Sequence, residues 1–380
     1  MVQIASTPPR TSRGDLDLES WLASLHARHP RIEIERVNAC LLWLHAQYDE
    51  LPMDGLQAQS LELADLLAEL DMDTDAILAG LFYRTVRQQR LPRSEVRVQL
   101  GSGPWELVQA VVGMGATNLL EFSDAAWLEK AQVDQVENVK RMLVAMIDDV
   151  RVAVVKLAER TLALRSAKDD APERRIRMAE EASQIFAPLA GRLGIFQIKW
   201  ALEDLSLRYL HPEEYQSIAS QLQGKRAQRE SQVELMVDQV RALLRGSGIE
   251  AQVNGRAKNI YSIWRKMRTK DVSFAQVYDV RAVRVVVSRL ADCYAALGLL
   301  HTTWEHIPRE FDDYIANPKE NGYQSLHTAV TVADGGALEI QIRTEEMHAD
   351  AELGVCAHWT YKGDDDEDPR ARDYRQKMDW

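Results

Sequence analysis

From about Leu16 to Leu210 the apolar residues return every three or four positions. The segments LQAQSLELADLLAEL, DAILAGLFYRTV, VENVKRMLVAMIDDVRVAVVKLAERTLAL and ERRIRMAEEASQIFAPLAGRL all carry this spacing, which lines one face of a helix. Strand-like alternation is nearly absent there, so this half is expected to be an all-helical domain. After Arg245-Gly246-Ser247-Gly248 the period falls to two in IEAQVNG, VYDVRAVRVVVS, SLHTAVTV and ALEIQIRT, which predicts strands. The turn Asp334-Gly335-Gly336 joins the last two as a hairpin. Helical runs interleave with them at KNIYSIWRKMRT, LADCYAALGLLHTTWEHI and EEMHADAELGVCAHWTY. The second half therefore reads as an α/β domain around a mixed sheet, and the whole chain as α+β. The expected division is a helical domain over 1–200, a charged amphipathic helical connector over 201–245, the α/β domain over 246–362, and an acidic linker over 363–380. That linker ends without a cap and reads as the start of further sequence.

Composition narrows the class. The chain has 380 residues, of which 46% are apolar, enough for two domains. No apolar run approaches the ~18 residues of a membrane span, and no signal pattern opens the chain, so a cytoplasmic protein is expected. Cys40, Cys293 and Cys356 are far apart and odd in number, which argues against disulfides and structural zinc and for buried thiols. A net charge of −12 argues against general adhesion to nucleic acid or membrane. Charge is uneven, however: from Arg256 to Arg289 there are nine Lys or Arg against two acids. A local reversal of that kind suits a polyphosphate ligand.

Side-chain direction locates the chemistry. In VYDVRAVRVVVS, alternation puts Asp279 and Arg281 on the face that continues through Val283, Val285 and Val287. In ALEIQIRT, Leu338, Ile340 and Ile342 share the apolar face and leave Glu339, Gln341 and Arg343 on the other. A polar face in series is costly against core and cheap against solvent or a polar ligand. In GRAKNIYSIWRKMRT, Ile260, Ile263, Trp264 and Met267 form the inward stripe, while Lys258, Ser262 and Lys266 follow at i, i+4 and i+8. Arg256 and Lys258 stand where strand gives way to helix, where the first backbone amides and two cations read as a phosphate site. Asp279 and Glu339 supply hard carboxylate oxygens for Mg²⁺, or one of them a base for a sugar hydroxyl. The stretch EFDDYIANPKENGYQSLHT adds the π faces of Tyr314 and Tyr323, the amide edge of Asn321, and His327 as a donor to a phosphate oxygen. A stacked base is worth ~1–3 kcal/mol. Trp200, Trp304 and Trp359 fall within amphipathic runs and read as core.

The motifs NGRAKNIYSIWRKM, YDVRAVRVVV, FDDYIANPKENGYQSLHT and LEIQIRTEEMHADAELGVCAHWTYK closely resemble, in order, the synthetase domain of the RelA/SpoT homologue family, the long-form (p)ppGpp synthetases. The helical half resembles the family too, in APLAGRLGIFQIKWALEDLSLRYL and VENVKRMLVAMIDDVRVAVVKLAER. The resemblance implies an HD-hydrolase-like helical domain followed by a nucleotidyltransferase-like domain. The implied reaction is transfer of pyrophosphate from ATP to the 3′-hydroxyl of GDP or GTP, with release of AMP. It implies that Asp279 holds Mg²⁺ and that Glu339 holds Mg²⁺ or activates the hydroxyl. Tyr323 would stack on guanine, and Lys319 and Asn321 would line the guanine-nucleotide site. Arg256, Lys258, Lys266 and His327 would bind phosphates, with Ser262, Arg281 and Gln341 joining the nucleotide site. Ribosome and uncharged tRNA are implied partners only through C-terminal domains beyond this chain.

The helical half departs from the family's hydrolases, which hold a metal with a His, a His-Asp pair and a distant Asp. At the His-Asp position stand Phe82 and Tyr83. No histidine lies between residues 46 and 210, and Glu159-Arg160-Thr161 replaces the later Asp-containing stretch. Without imidazoles and paired carboxylate the metal site is lost, so this half is expected to be an inactive scaffold or regulator. Glu310-Phe311-Asp312-Asp313 carries the acidic form that the family's monofunctional synthetases show, and implies a stronger Mg²⁺ dependence and a leaning to GDP. The rival readings are a nucleotide-binding regulatory module in which both activities have decayed, and a bifunctional enzyme.

Overall fold

The structure is a computed structural model and describes residues 7–48, 55–116, 149–224, 226–256, 258–274, 282–319, 321–333 and 335–356. Asp279 and Arg281, the linker 363–380, and Trp359 lie outside the described residues. The chain divides into two compact units, one within Gln3–Ala190 together with residues after Gly354, the other Gly191–Gly354.

The first unit is built of helices, after an opening turn closed by a bridge between Arg10 and Leu16: α1 (Leu18–Arg28), α2 (Ile34–Tyr48), α3 (Leu56–Glu69), α4 (Thr74–Arg87), α5 (Arg93–Leu100), α6 (Ser102–Ala116), α7 (Val150–Ser166) and α8 (Pro172–Glu181). A π-helical stretch, Ala182–Phe186, then leads into α9 (Ala187–Arg192). Local sequence sets the starts. Asp73 accepts a hydrogen bond from the Ala76 amide at 2.9 Å, satisfying a donor that the first turn of α4 leaves open. Leu63 and Leu67 of α3 meet α4 at Gly80, where a methyl group would stand 2.7 Å from Leu67 Cδ1; the glycine lets the two helices approach. α7 is buried almost all round, with Val152, Val154, Val155, Leu157 and Leu162 in the core, as a central helix must be. It also buries Lys156 and Glu159.

The second unit opens with α10 (Phe196–Leu210), α11 (Pro212–Gly224) and α12 (Arg226–Gly246), so the stretch 201–245 falls within the unit that carries the sheet. There follow β1 (Ala251–Gly255), α13 (Ile260–Lys270), β2 (Ala282–Val287), α14 (Leu290–Thr303), β3 (Glu305–His306), β4 (Asp312–Asp313), β5 (Leu326–Thr331), β6 (Ala337–Thr344) and α15 (Glu345–Leu353). The sheet order is β1-β2-β6-β5-β3, with β4 also on β5. β2 and β6 run parallel and the other pairs antiparallel, the mixed sheet that the sequence pattern predicts. The β5–β6 hairpin closes with the Val332 amide donating to Gly336 O at 2.9 Å.

One face of the sheet is the core. Val283, Val285 and Val287 of β2 and Leu338, Ile340 and Ile342 of β6 pack with Val240 and Leu244 of α12 and with Cys293, Ala296 and Leu300 of α14. The expected inward stripe of α13 forms a second, smaller cluster, where Ile263 meets Ile218 of α11 with Ile260, Trp264 and Met267 against them. All three cysteines are buried and free. Gly354 closes α15 at φ +56°, and a side chain there would strike Leu193 O at 2.3 Å, so glycine is required on both counts. No helix among the described residues is long and apolar enough to cross a membrane.

Candidate active site

The opposite face of the sheet carries the polar residues, arranged in rows by register. Glu339 of β6 lies between Ala282 on β2 and Ala329 on β5. Two short neighbours leave room around its carboxylate. The next row runs across four strands as Arg284, Gln341, His327 and Asp312, each pair at the ~5 Å of cross-strand neighbours. This face is not the solvated one an isolated amphipathic strand would present: Gln341 is 3% exposed and Arg343 2%.

Glu339 is the centre of the first row. Lys258 Nζ donates to Oε2 at 2.8 Å, Arg256 Nη1 lies 3.6 Å from Oε1, and Gln341 Nε2 donates to Oε1 at 3.4 Å. Arg256 is placed by the end of β1, its amide donating to Ala282 O at 2.8 Å. Lys258 follows just before α13, while Ser262 and Lys266 lie half-buried on that helix.

The start of α13 corrects one reading. The Ile260 and Tyr261 amides do not stand open for a phosphate; they donate to Asp204 of α10, at 3.3 Å to Oδ2 and 2.8 Å to Oδ1. Burial pushes the Asp204 carboxyl up to about 6, the penalty for a charge removed from water. What cationic attraction the site offers comes from side chains.

The aromatic half assembles from the stretch after β4. Asn321 Oδ1 accepts from the Tyr323 amide at 3.3 Å and its Nδ2 donates to Gly191 O at 3.0 Å, so its amide shapes the turn that presents Tyr323. The Tyr323 hydroxyl shares a 2.8 Å hydrogen bond with His327 Nε2. Burial drives the His327 pKa down to about 4, which keeps the ring neutral at pH 7. Tyr314 and Tyr323 meet edge-on at 6.2 Å, with Lys319 Nζ 4.2 Å from the Tyr314 centroid and 5.5 Å from that of Tyr323. Burial also lowers the Lys319 pKa. The acidic stretch is folded into the same region: Glu310 pairs with Lys270 at 3.1 Å, and Asp313 Oδ1 accepts from the Ile315 and Ala316 amides at 3.0 and 2.8 Å.

Several participants take parts in the site that the sequence pattern did not assign to them. Glu352 of α15 takes Arg284 at 3.0 Å, Arg343 at 2.9 Å and Gln197 Nε2 at 3.2 Å. Burial alone would raise its pKa; the two guanidiniums outweigh it and hold the carboxyl low. Trp200 and Phe196 of α10 also touch the site. Their i, i+4 spacing was legible, but not which neighbour they would face.

Among the described residues no group of three or more His, Cys, Asp or Glu is placed to hold a metal. Glu339, partly exposed and held by Lys258, Arg256 and Gln341, offers a hard oxygen donor, chemistry that suits Mg²⁺ when phosphate oxygens and water complete the shell. Asp279, the second expected donor, lies outside the described residues.

In the helical unit, the positions expected to have lost a metal come together. Phe82 stacks on Trp43 at 6.0 Å. Tyr83 is buried beside Glu159, and Arg87 Nη1 reaches both, at 3.3 Å to the hydroxyl and 3.3 Å to Glu159 Oε1. Arg160 Nε donates to Glu159 Oε2 at 2.9 Å and Lys156 Nζ lies 3.5 Å from it.

Residues 255–366 match the family model described as the region found in RelA / SpoT proteins, and residues 41–196 match an HD domain. The chain is 45% identical over 354 residues to the GTP pyrophosphokinase of Escherichia coli, a match covering 92% of this chain and 46% of that protein. It is 40% identical over 363 residues to a Synechocystis protein named probable guanosine-3′,5′-bis(diphosphate) 3′-pyrophosphohydrolase, again covering 92% of this chain and 46% of that one. A solved structure of small alarmone synthetase 1 from Bacillus subtilis, bound to its product pppGpp, matches at 26% identity and a TM-score of 0.30, covering 42% of this chain and 90% of that one. The chain spans about half the length of the curated relatives it matches. An HD domain and the region found in RelA / SpoT proteins thus follow one another along the chain, each mainly in one of its two units.

Proposed function

We propose that this chain is a (p)ppGpp synthetase, transferring pyrophosphate from ATP to the 3′-hydroxyl of GDP or GTP and releasing AMP. The observation that carries the reading is Glu339, flanked by two alanines and held by Lys258 and Arg256. The 3′-oxygen attacks the β-phosphorus of ATP, the bond to the oxygen bridging to the α-phosphorus breaks, and AMP leaves with that oxygen. Glu339, with Asp279, either holds Mg²⁺ or takes the hydroxyl proton. When bound, Mg²⁺ supplies charge neutralisation on the phosphates. Tyr323 stacks on guanine, with Lys319 and Asn321 lining that nucleotide's site and Gln341 and His327 beside its phosphates. Arg256, Lys258, Ser262, Lys266 and Arg281 are left for the triphosphate, and their charge meets charge that develops on transfer.

The helical half, on this reading, does not hydrolyse. A relative named as a pyrophosphohydrolase keeps the bifunctional reading in play. Against it stands Glu159, whose carboxylate is already taken by three cations beside Tyr83. Ribosome and uncharged tRNA would be engaged only through C-terminal domains of the kind the longer relatives have room for, in the cytoplasm. Incubation with labelled ATP, GDP and Mg²⁺ should yield ppGpp and AMP, and no product under any Mg²⁺ concentration would return the chain to the decayed-module reading. Incubation with ppGpp and Mn²⁺ should release no pyrophosphate; steady release would establish the bifunctional one.

A further inference from the structure

Helix α10 contributes none of the residues assigned to the reaction, yet three of its side chains touch three different parts of the site. Phe196, Trp200 and Asp204 follow at i, i+4 and i+8 and so share a face, while Ile198 and Leu202 on another face are fully buried. Phe196 meets the Tyr323 ring edge-on, 5.6 Å between centroids at 74°. Trp200 lies under the Arg256 guanidinium, whose Cζ is 5.4 Å from the ring centroid. Asp204 takes the Tyr261 and Ile260 amides at 2.8 and 3.3 Å, tying down the first turn of the helix that follows Lys258. Phe196 and Trp200 are themselves stacked in a tilted pair at 5.9 Å, so the contacts form one continuous line.

We infer that Phe196, Trp200 and Asp204 are positioning residues for pyrophosphate transfer: Phe196 sets the ring that stacks on guanine, Trp200 sets the guanidinium plane of Arg256, and Asp204 fixes the start of α13. The inference rests on the synthetase reading and deepens it. Two physical points support it. A flexible arginine gains in-line geometry only if its plane is held, and a ring beneath it does that without consuming a hydrogen-bond donor. Asp204, half-buried with its carboxyl pushed up to about 6 by desolvation, is a charge kept at a cost to folding. In return its two oxygens hold the Ile260 and Tyr261 amides, and with them the turn that follows Lys258.

The line predicts a separation that general scaffolding would not give. The 380-residue chain is assayed with ATP, GDP and Mg²⁺, each nucleotide varied in turn, as wild type and as Phe196→Leu, Trp200→Leu, Trp200→Phe and Asp204→Asn, with thermal melts alongside. No ppGpp from wild type removes the synthetase reading itself, before any variant is compared. With an active wild type, Phe196→Leu should raise KM for GDP about fivefold and leave KM for ATP within twofold, the scale of an aromatic pair. Trp200→Leu should do the reverse by a similar factor of about five, and Trp200→Phe should recover most of it, because a smaller π face remains. Asp204→Asn should lower kcat about fivefold while Tm holds or rises, because the amide caps one N–H without burying a charge. Equal changes for both nucleotides that track a falling Tm, or no kinetic change in any variant, overturn the inference.

Discussion

Glu159 in the helical unit and Glu339 in the sheet unit are each a carboxylate among cations, and their surroundings differ in access. Glu159 is 1% exposed, with Lys156 at 4%, Arg160 at 16% and Arg87 reaching in from the surface at 43%. Glu339 is 16% exposed, with Lys258 at 14% and Arg256 at 18%, and small side chains stand on both sides of it in the sheet. A cation sealed in with its acid cannot exchange partners without leaving a buried charge uncompensated. A cation at an open edge can give up the carboxylate for a phosphate while the carboxylate turns to a metal or a proton. On the proposed synthetase function, the same ingredients build a strut in one unit and a reaction centre in the other.

The comparison breaks most sharply at Glu339. Glu339→Gln keeps the size and the hydrogen bond to Lys258 but loses the charge; ppGpp formation should fall by about 10³-fold, within the range a catalytic base or metal ligand commands. Circular dichroism and Tm should stay near wild type. Activity within tenfold of wild type would sink Glu339 as the reacting carboxylate. Glu159→Gln should show the opposite profile. It leaves Lys156, Arg160 and Arg87 without their common anion, so the unfolding free energy should drop by about 3 kcal/mol, as for other buried pairs broken on one side. Denaturant titration reads this directly, and a change under about 0.5 kcal/mol would mean that the cluster is no strut.

Acid should separate the two units again. His327 is half-buried and neutral, its pKa lowered by desolvation to about 4 from the ordinary 6.5. A histidine whose folded pKa is depressed resists protonation in the native state, so stability is present above about 6.5 and drains away as pH falls from there toward 4. Between pH 7 and pH 5 this amounts to roughly 2 kcal/mol. His327→Gln should abolish that share of the loss, and a variant that unfolds with the same pH dependence as wild type would show the group to be solvated. Nucleotide phosphates beside the ring would pull its pKa back up, so the acid sensitivity should shrink in saturating GDP.

Most of the architecture was legible because periodicity reports burial. The strands β1, β2, β5 and β6 and the stripe of α13 lie where period two and period 3.6 put them, and Glu339, Gln341 and Arg343 share the face that alternation assigns. The sequence could not say what covers that face. Gln341 and Arg343 are buried, on the face where Gln197 of α10 and Glu352 of α15 meet, and an amphipathic helix does not declare its partner. The same gap hid Asp204, whose carboxylate takes the amides read as a phosphate site, and Trp200, which reads as core until Arg256 is seen above it. The strands β3 and β4 are two residues each, too short to leave a period.

The smallest effect concerns the acids at the edge of the site. Glu310 is engaged by Lys270 and Asp312 sits opposite His327 in register, yet Glu310 is 40% exposed and Lys270 54%. Exposed pairs of this kind contribute about 0–1 kcal/mol, so Glu310→Gln should leave Tm unchanged. Their sign still matters, because carboxylates near a polyphosphate raise the local need for cations. Replacing Glu310 and Asp312 by Arg and Lys should lower the Mg²⁺ concentration for half-maximal rate about threefold and move the ratio of kcat/KM for GDP over GTP toward GTP by a similar factor, since a basic edge favours the extra phosphate. Both shifts should fade as salt rises past about 0.5 M, where the Debye length drops below 5 Å. A Mg²⁺ titration that superimposes on wild type at low salt would take these acids out of the site and leave Glu339 as the carboxylate that the substrates' charge must meet.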